Sequence, residues 1–251
     1  MTADHIGRFI PGMPFFLRIA GRASRPLFAY CAVQGFIHTS DTDKYRLRLY
    51  IFSVITGVMN FVLNGLYPQA HHRVTTNIFT SLLMAFFILE EFCPDDDIYH
   101  HGSARKVVYI TVFNMIIHSI AGKFLSANAM NIVSAVFPDV FHAEGSILFF
   151  LMVAALYAGR RSRKDTVLYF GGYCLVYLAL ILLSNTSAYT AVPLPLSQLL
   201  FRYSIQWLQI LALPVMLLYN GKKGAGLKYL FYIYYPLHIA LLFVLGNTVF
   251  A

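Results

Sequence analysis

YNGKKGAGLKYLFYIYYPLHIALLFVL, residues 219–245, decides how the chain folds. A basic, glycine-rich turn gives way after Lys228 to an apolar run that continues through Leu245 without the every-second-residue alternation of a strand. At roughly 20 residues per crossing, such a run is long enough to span a bilayer as a helix. Working outward, the same pattern recurs along the chain. Of the 251 residues 58% are apolar and 12% are charged, and the mean hydropathy is +0.63. The charged share is about half that of a soluble domain. This composition excludes a disordered chain, a coiled coil and an ordinary soluble globule. Continuous apolar stretches also argue against a membrane barrel, whose strands alternate.

The chain therefore reads as all-α, a polytopic transmembrane helical bundle in one membrane domain, 1–251. Apolar segments at approximately 22–38, 47–66, 74–92, 107–124, 144–158, 166–184, 199–219 and 229–249 predict about eight spans. Residues 125–143 are apolar but must start and finish on one side, which predicts a re-entrant or interfacial segment capped by Pro138 and Asp139. The loops 39–48, 93–106, 159–165 and 220–228 carry 12 of the 19 lysines and arginines. The opposing loops between spans carry only Arg73, Lys123 and Arg202. This bias places the four basic loops on the cytoplasmic side of the membrane. The formal net charge of +8 is then a topology signal facing anionic lipid, and no nucleic-acid partner is expected. Cys31, Cys93 and Cys174 show no zinc-like or CxxC spacing. The first residues lack the apolar core and cleavage site of a signal peptide.

Ionisable groups inside apolar helices are costly and mark functional sites. His238 falls about ten residues into the last span, some 15 Å deep at 1.5 Å per residue. Pro236 removes a backbone donor nearby and is expected to free a carbonyl there. With Tyr229, Tyr232, Tyr234 and Tyr235, His238 reads either as the wall of a polar cavity or as a histidine satisfied by one interhelical hydrogen bond. Asp4 and His5 are adjacent, and they read either as an orienting carboxylate with a general base or as a solvated terminus. His118 reads as a proton-relay group or a packed polar contact. Asn77 and Thr80 lie one turn apart, a stripe whose simplest role is interhelical hydrogen bonding. Glu144 opens the fifth span after the re-entrant segment. The pairs His71–His72 and His100–His101 have no i,i+4 spacing, and no metal is expected. Lys222 and Lys223, in the glycine-rich loop, suit either the phosphates of a nucleotide-like ligand or a plain basic turn.

A series of motifs resembles the TraX family of polytopic membrane proteins: DHIG at 4–7, GRASRPLFAY at 21–30, QGFIHT at 34–39, NIFTSLL at 77–83, EGSILFFLMVAALY at 144–157 and LLYNGKKG with KYLFYIYYPLHIALLFVL across 217–245. The resemblance spans essentially the whole chain, and the last motif is the most specific. It implies an integral membrane acetyltransferase using cytosolic acetyl-CoA. Asp4 and His5 match the family's Asp-His, Arg22 its Gly-Arg, His38 its Phe-His-Thr histidine and His238 its Tyr-Pro-Leu-His histidine. Members of the family carry an apolar helix before the Asp-His, so the chain is expected to begin at the end of a helix whose body is missing. Arg25 stands where an apolar residue is usual.

On this resemblance His5, Asp4 and His238 are the catalytic candidates. Lys222, Lys223, Arg46 and Arg48 are the cations for acetyl-CoA, and Tyr235, Arg22, His38, Asn77 and Glu144 line the substrate cavity. The expected acceptor is an amine or hydroxyl on a pilin N-terminus, a surface glycan, a peptide or a small molecule. Two other classes compete. A proton-coupled transporter would use His118 and His238, but no internal repeat supports it. A non-catalytic component of a conjugation or secretion machine would have no need for polar groups at depth.

Overall fold

The computed structural model describes residues 1–92, 104–185, 193–222 and 228–249. All regular structure among them is helical. In order, α1 is Thr2–Phe9, α2 Phe16–Arg22, α3 Ser24–Ile37, α4 Thr42–Leu66, α5 Ile78–Phe92, α6 Ala104–Phe124, α7 Met130–Val136, α8 Ser146–Ala158 and α9 Arg163–Ser184. A short turn, α10 (Leu196–Gln198), runs on as a π-turn at Leu199–Tyr203. A 3-10 segment at Gln206–Leu211 leads into α11 (Ala212–Leu217), and α12 is Lys228–Thr248.

The eight crossings expected from hydropathy are corrected by the backbone. Among the described residues four helices, α4, α6, α9 and α12, are long and apolar enough to cross a membrane. A fifth is added if Leu196–Tyr203 and Gln206–Leu217, bent by 67°, form one broken span. α3, α5 and α8 have 14, 15 and 13 residues. At 1.5 Å per residue each is about 20 Å long, short of the ~30 Å hydrocarbon layer. The expected re-entrant segment contains only the seven-residue α7.

The chain divides into two compact units. The first comprises Met1–Gln34 with Leu151–Ala225, the second Gly35–Phe150 with Gly226–Ala251. In the first, α1 packs on α2 at Gly21. A β-carbon there would lie 2.7 Å from the Asp4 Cα, so only glycine admits the approach. α9 starts from Ser162, whose hydroxyl accepts from the Asp165 amide at 3.1 Å and donates to the Asp165 carboxylate at 2.8 Å. This satisfies an N–H that the first helical turn leaves open. The interior holds Phe9, Met152, Leu156, Phe170 and Met216.

In the second unit α4 carries the packing. Its Gly57 meets α7, where a β-carbon would fall 2.8 Å from the Asn131 carbonyl oxygen. Phe36 stacks on Phe86 with centroids 4.4 Å apart, and Phe79 lies between Tyr232 and Tyr235 of α12 at 5.6 and 5.1 Å. α12 continues through Pro236. The outer faces of α6 and α9 are strongly apolar: Tyr109, Phe113 and Ile116 on one, Leu168, Leu175 and Val176 on the other, all exposed. Helices with satisfied backbones and exposed apolar faces are the kind a bilayer accepts.

Candidate functional site

In the first unit the carboxylate of Asp4 is bound by Arg22, from one turn of α1 to the end of α2. Arg18 approaches the same oxygen at 3.9 Å. Arg22 spreads further, donating to Gln206 Oε1 at 2.9 Å and to the Arg18 carbonyl at 3.3 Å. Asp4 and Arg22 are 19% and 15% exposed, so the pair works at partial burial rather than in open water. His5, the next residue, is buried and stacks on Phe9, one helical turn on, at 5.7 Å and 9°. Asp4 is thus matched with Arg22, while the Asp4 and His5 side chains, adjacent on α1, leave the helix axis about 100° apart. Lys222 is exposed, and its amide donates to Asn220 Oδ1 at 3.0 Å just after Gly221, whose φ is +73°. Lys223 lies outside the described residues.

In the second unit Tyr235 and Glu144, two of the sequence's cavity residues, come together with the start of α5. The Tyr235 hydroxyl donates to Glu144 Oε2 at 3.4 Å and accepts the Ile78 N–H at 3.1 Å. Ser81 donates to the Glu144 carbonyl at 2.9 Å. Asn77, beside Ile78, donates to the Ser53 carbonyl at 2.9 Å, and Ser53 Oγ shares a 2.7 Å bond with Thr80 Oγ1. The polar stripe on α5 therefore knits α4 to α5. His238 is 6% exposed and donates through Nδ1 to the Tyr234 carbonyl at 2.7 Å. Its ring stacks on Tyr234 at 4.9 Å and meets Tyr235 edge-on at 5.9 Å. His38 sits exposed, just beyond α3. Arg46 is held by Glu90 and Asp43, and Arg48 lies over the Tyr45 ring at 5.7 Å. Arg46 also borders an apolar groove of about 400 Å³ with Tyr50, Leu83, Phe87 and Asn114.

A further constellation in this unit escaped the sequence. Asp139, a capping residue in the sequence reading, receives His118 and His142 on the same oxygen, at 2.9 and 2.7 Å. Its other oxygen accepts the amides of Phe141 and His142 at 2.7 and 2.9 Å. Burial alone would raise the Asp139 pKa. The hydrogen bonds from His118, His142 and Phe141 outweigh it and hold the carboxyl well below the usual carboxylate range. The local sequence signal is the D-x-x-H of 139–142. The third member, His118, is 21 positions before Asp139, in α6.

Long helices with lipid-suited faces and hydrogen-bonded polar groups between them define an integral membrane protein of all-helical class. The family model described as TraX protein matches residues 1–158. The chain belongs to the TraX family. A relative from Dichelobacter nodosus, "Probable fimbrial assembly protein FimC, serogroup H1", is 27% identical over 232 residues, 90% of this chain and 81% of that protein. No solved structure matches.

Proposed function

We propose that the chain is an acetyltransferase of the bacterial inner membrane, with its basic loops cytoplasmic, moving an acetyl group from cytosolic acetyl-CoA to an amine or hydroxyl acceptor of a pilus or fimbria. The observation that carries the reading is the Asp4-His5 pair of a TraX-family chain, with His5 buried beside an arginine-held carboxylate. The fimbrial name of the relative supports the acceptor class.

In this reading His5 takes a proton from the acceptor nitrogen or oxygen as that atom attacks the thioester carbonyl. The carbon–sulfur bond then breaks, and His5 returns the proton to the departing thiolate. Asp4, fixed by Arg22, is acceptor-only in its ionised form and holds the turn of α1 that carries His5 in place. Lys222 and Lys223 neutralise phosphates. Arg46 and Arg48 are the alternative cations and His238 the alternative base. Within the first unit, Arg22 is assigned to the acceptor.

The experiment is acetyl transfer from radiolabelled acetyl-CoA to pilin peptides in proteoliposomes. Labelling is expected with the native chain and lost with His5→Ala. Unchanged transfer in a His5→Ala, His238→Ala double variant would sink the proposal. The relative's name also fits a non-catalytic assembly component. That reading predicts no labelling at all, with fimbriation still dependent on the chain.

A further inference from the structure

The His118, Asp139 and His142 cluster goes beyond acetyl transfer. Each residue offers one ligand atom, and the three atoms lie within 4.8 Å of one another. The two imidazoles are parallel at 9° with centroids 4.3 Å apart, so both Nδ1 atoms leave the stack on the same side, toward Asp139 Oδ2. We propose that His118 Nδ1, Asp139 Oδ2 and His142 Nδ1 form a three-ligand site for a divalent transition-metal ion of the zinc class, with a fourth position left to water.

Four features support the assignment. The carboxylate oxygen lies 2.9 and 2.7 Å from the two imidazole nitrogens, so a small outward shift reaches the edge of a tetrahedron with 2.0 Å bonds, about 3.3 Å. His118 Nε2 lies 3.2 Å from Ser134 Oγ. With a metal on Nδ1 the ring proton would move to Nε2, and Ser134 Oγ stands ready to accept it, as outer partners of metal-bound histidines do. Asp139 Oδ1 is saturated by two backbone amides, which aims Oδ2 at the imidazoles. His118 and Asp139 side chains are fully buried while His142 is 47% exposed, so the site has a dry floor and an open side for entry. Two nitrogens and one carboxylate oxygen suit zinc, cobalt or nickel and not calcium or magnesium, which take oxygen ligands. Without the ion, the same Nδ1 atoms donate to Asp139 and to the Asn114 carbonyl, at 2.8 Å from His118. The cation thus replaces shared protons.

The test uses the full chain in detergent, without a polyhistidine tag, stripped with chelator and titrated with Co²⁺ while the visible d–d bands are followed. One Co²⁺ per chain, displaced by Zn²⁺, is expected. Ser134→Ala should weaken binding by about 10- to 100-fold, as loss of an outer partner does elsewhere, and His142→Ala by more. His142 is 47% exposed, so that variant keeps the fold, and a helix content in chelator equal to that of the native chain by circular dichroism shows it. Absence of the bands in the native chain, or equal titrations in the native chain, His142→Ala and Asp139→Asn, overturns the proposal and leaves a carboxylate-bridged histidine pair.

Discussion

Arg22 grips the Asp4 carboxylate at the point where Gly21 lets α2 reach α1, with room for no β-carbon between them. Helix crossing and ion pair are one device. Gly21→Ala gains about 1 kcal/mol of helix propensity. The clash with the Asp4 backbone outweighs that gain, because backbone has nowhere to go. Gly21→Val should destabilise by about 1–3 kcal/mol, as overpacked sites do. Melting in detergent checks both, and a rise in either variant refutes the packing.

The ion pair itself is open to a double-mutant cycle. Arg22→Gln and Asp4→Asn each leave a partly buried partner, so their combined effect should fall short of the sum by about 1–2 kcal/mol. Additive effects would show that Arg22 serves Gln206 and the Arg18 carbonyl instead.

Asn64 supplies the backbone of the α4–α5 connection with the partners a helix would have provided. Its amide donates to the Val74 carbonyl at 2.8 Å and accepts the Val74 N–H at 2.9 Å, both buried. Asn64→Leu keeps the volume and strands two backbone groups, at a cost of about 3 kcal/mol. The half-buried Asn128, whose bond to the Phe61 carbonyl is open to the surface, is the control: Asn128→Ala should shift stability by about 0.5 kcal/mol or less.

That connection also shows where the sequence was legible. α4, α6, α9 and α12 lie where hydropathy put them, because each is a predominantly apolar run of 20 residues or more. Hydropathy sums composition and is blind to backbone breaks. The segment 74–92 reads as one span, yet α5 begins only at Ile78, because Asn60 and Asn64 take up the carbonyls of Thr76 and Val74. The segment 22–38 ends one helix at Arg22 and begins another at Ser24. The segment 199–219 passes through a π-turn and a 3-10 stretch around a 67° bend. Of the site, the polar stripe at Asn77 and Thr80 was readable as interhelical bonding. Arg22 as the partner of Asp4 was not, since the two lie eighteen positions apart and nothing local encodes the crossing except Gly21.

The start of α4 is titratable. Asp41 caps it, accepting the Lys44 amide at 2.8 Å, and pairs with the Lys44 ammonium at 2.8 Å. The ammonium and amide of Lys44 together hold the Asp41 carboxyl below its ordinary value. A depressed carboxyl stabilises the fold fully above its unfolded pKa, and the contribution fades as pH falls through the lower folded value. Exchange protection of the Lys44 amide should therefore drop as pH is lowered below about 4. Asp41→Asn, which keeps a capping oxygen but no charge, should flatten that dependence. A native-like pH profile in Asp41→Asn would assign the titration elsewhere.

Arg46 and Lys222 separate structural cations from ligand-binding ones. Arg46 is held by Glu90, which is 8% exposed, and by Asp43. Arg46→Gln leaves Glu90 without its guanidinium, and the loss should reach about 3 kcal/mol at most, since Arg46 itself is 30% exposed. Lys222 is exposed beside a left-handed glycine. Lys222→Gln should change stability by no more than about 0.5 kcal/mol. If Lys222 meets acetyl-CoA phosphates, the same variant raises the KM for acetyl-CoA severalfold at unchanged kcat. Added salt should narrow the gap between native and variant, since an exposed charge is screened within about 10 Å at 0.1 M. The two variants thus predict opposite signatures, melting temperature for Arg46 and KM for Lys222. A KM rise confined to Arg46→Gln, at unchanged melting temperature, would move phosphate binding to the second unit and reduce the glycine-rich loop to a basic turn.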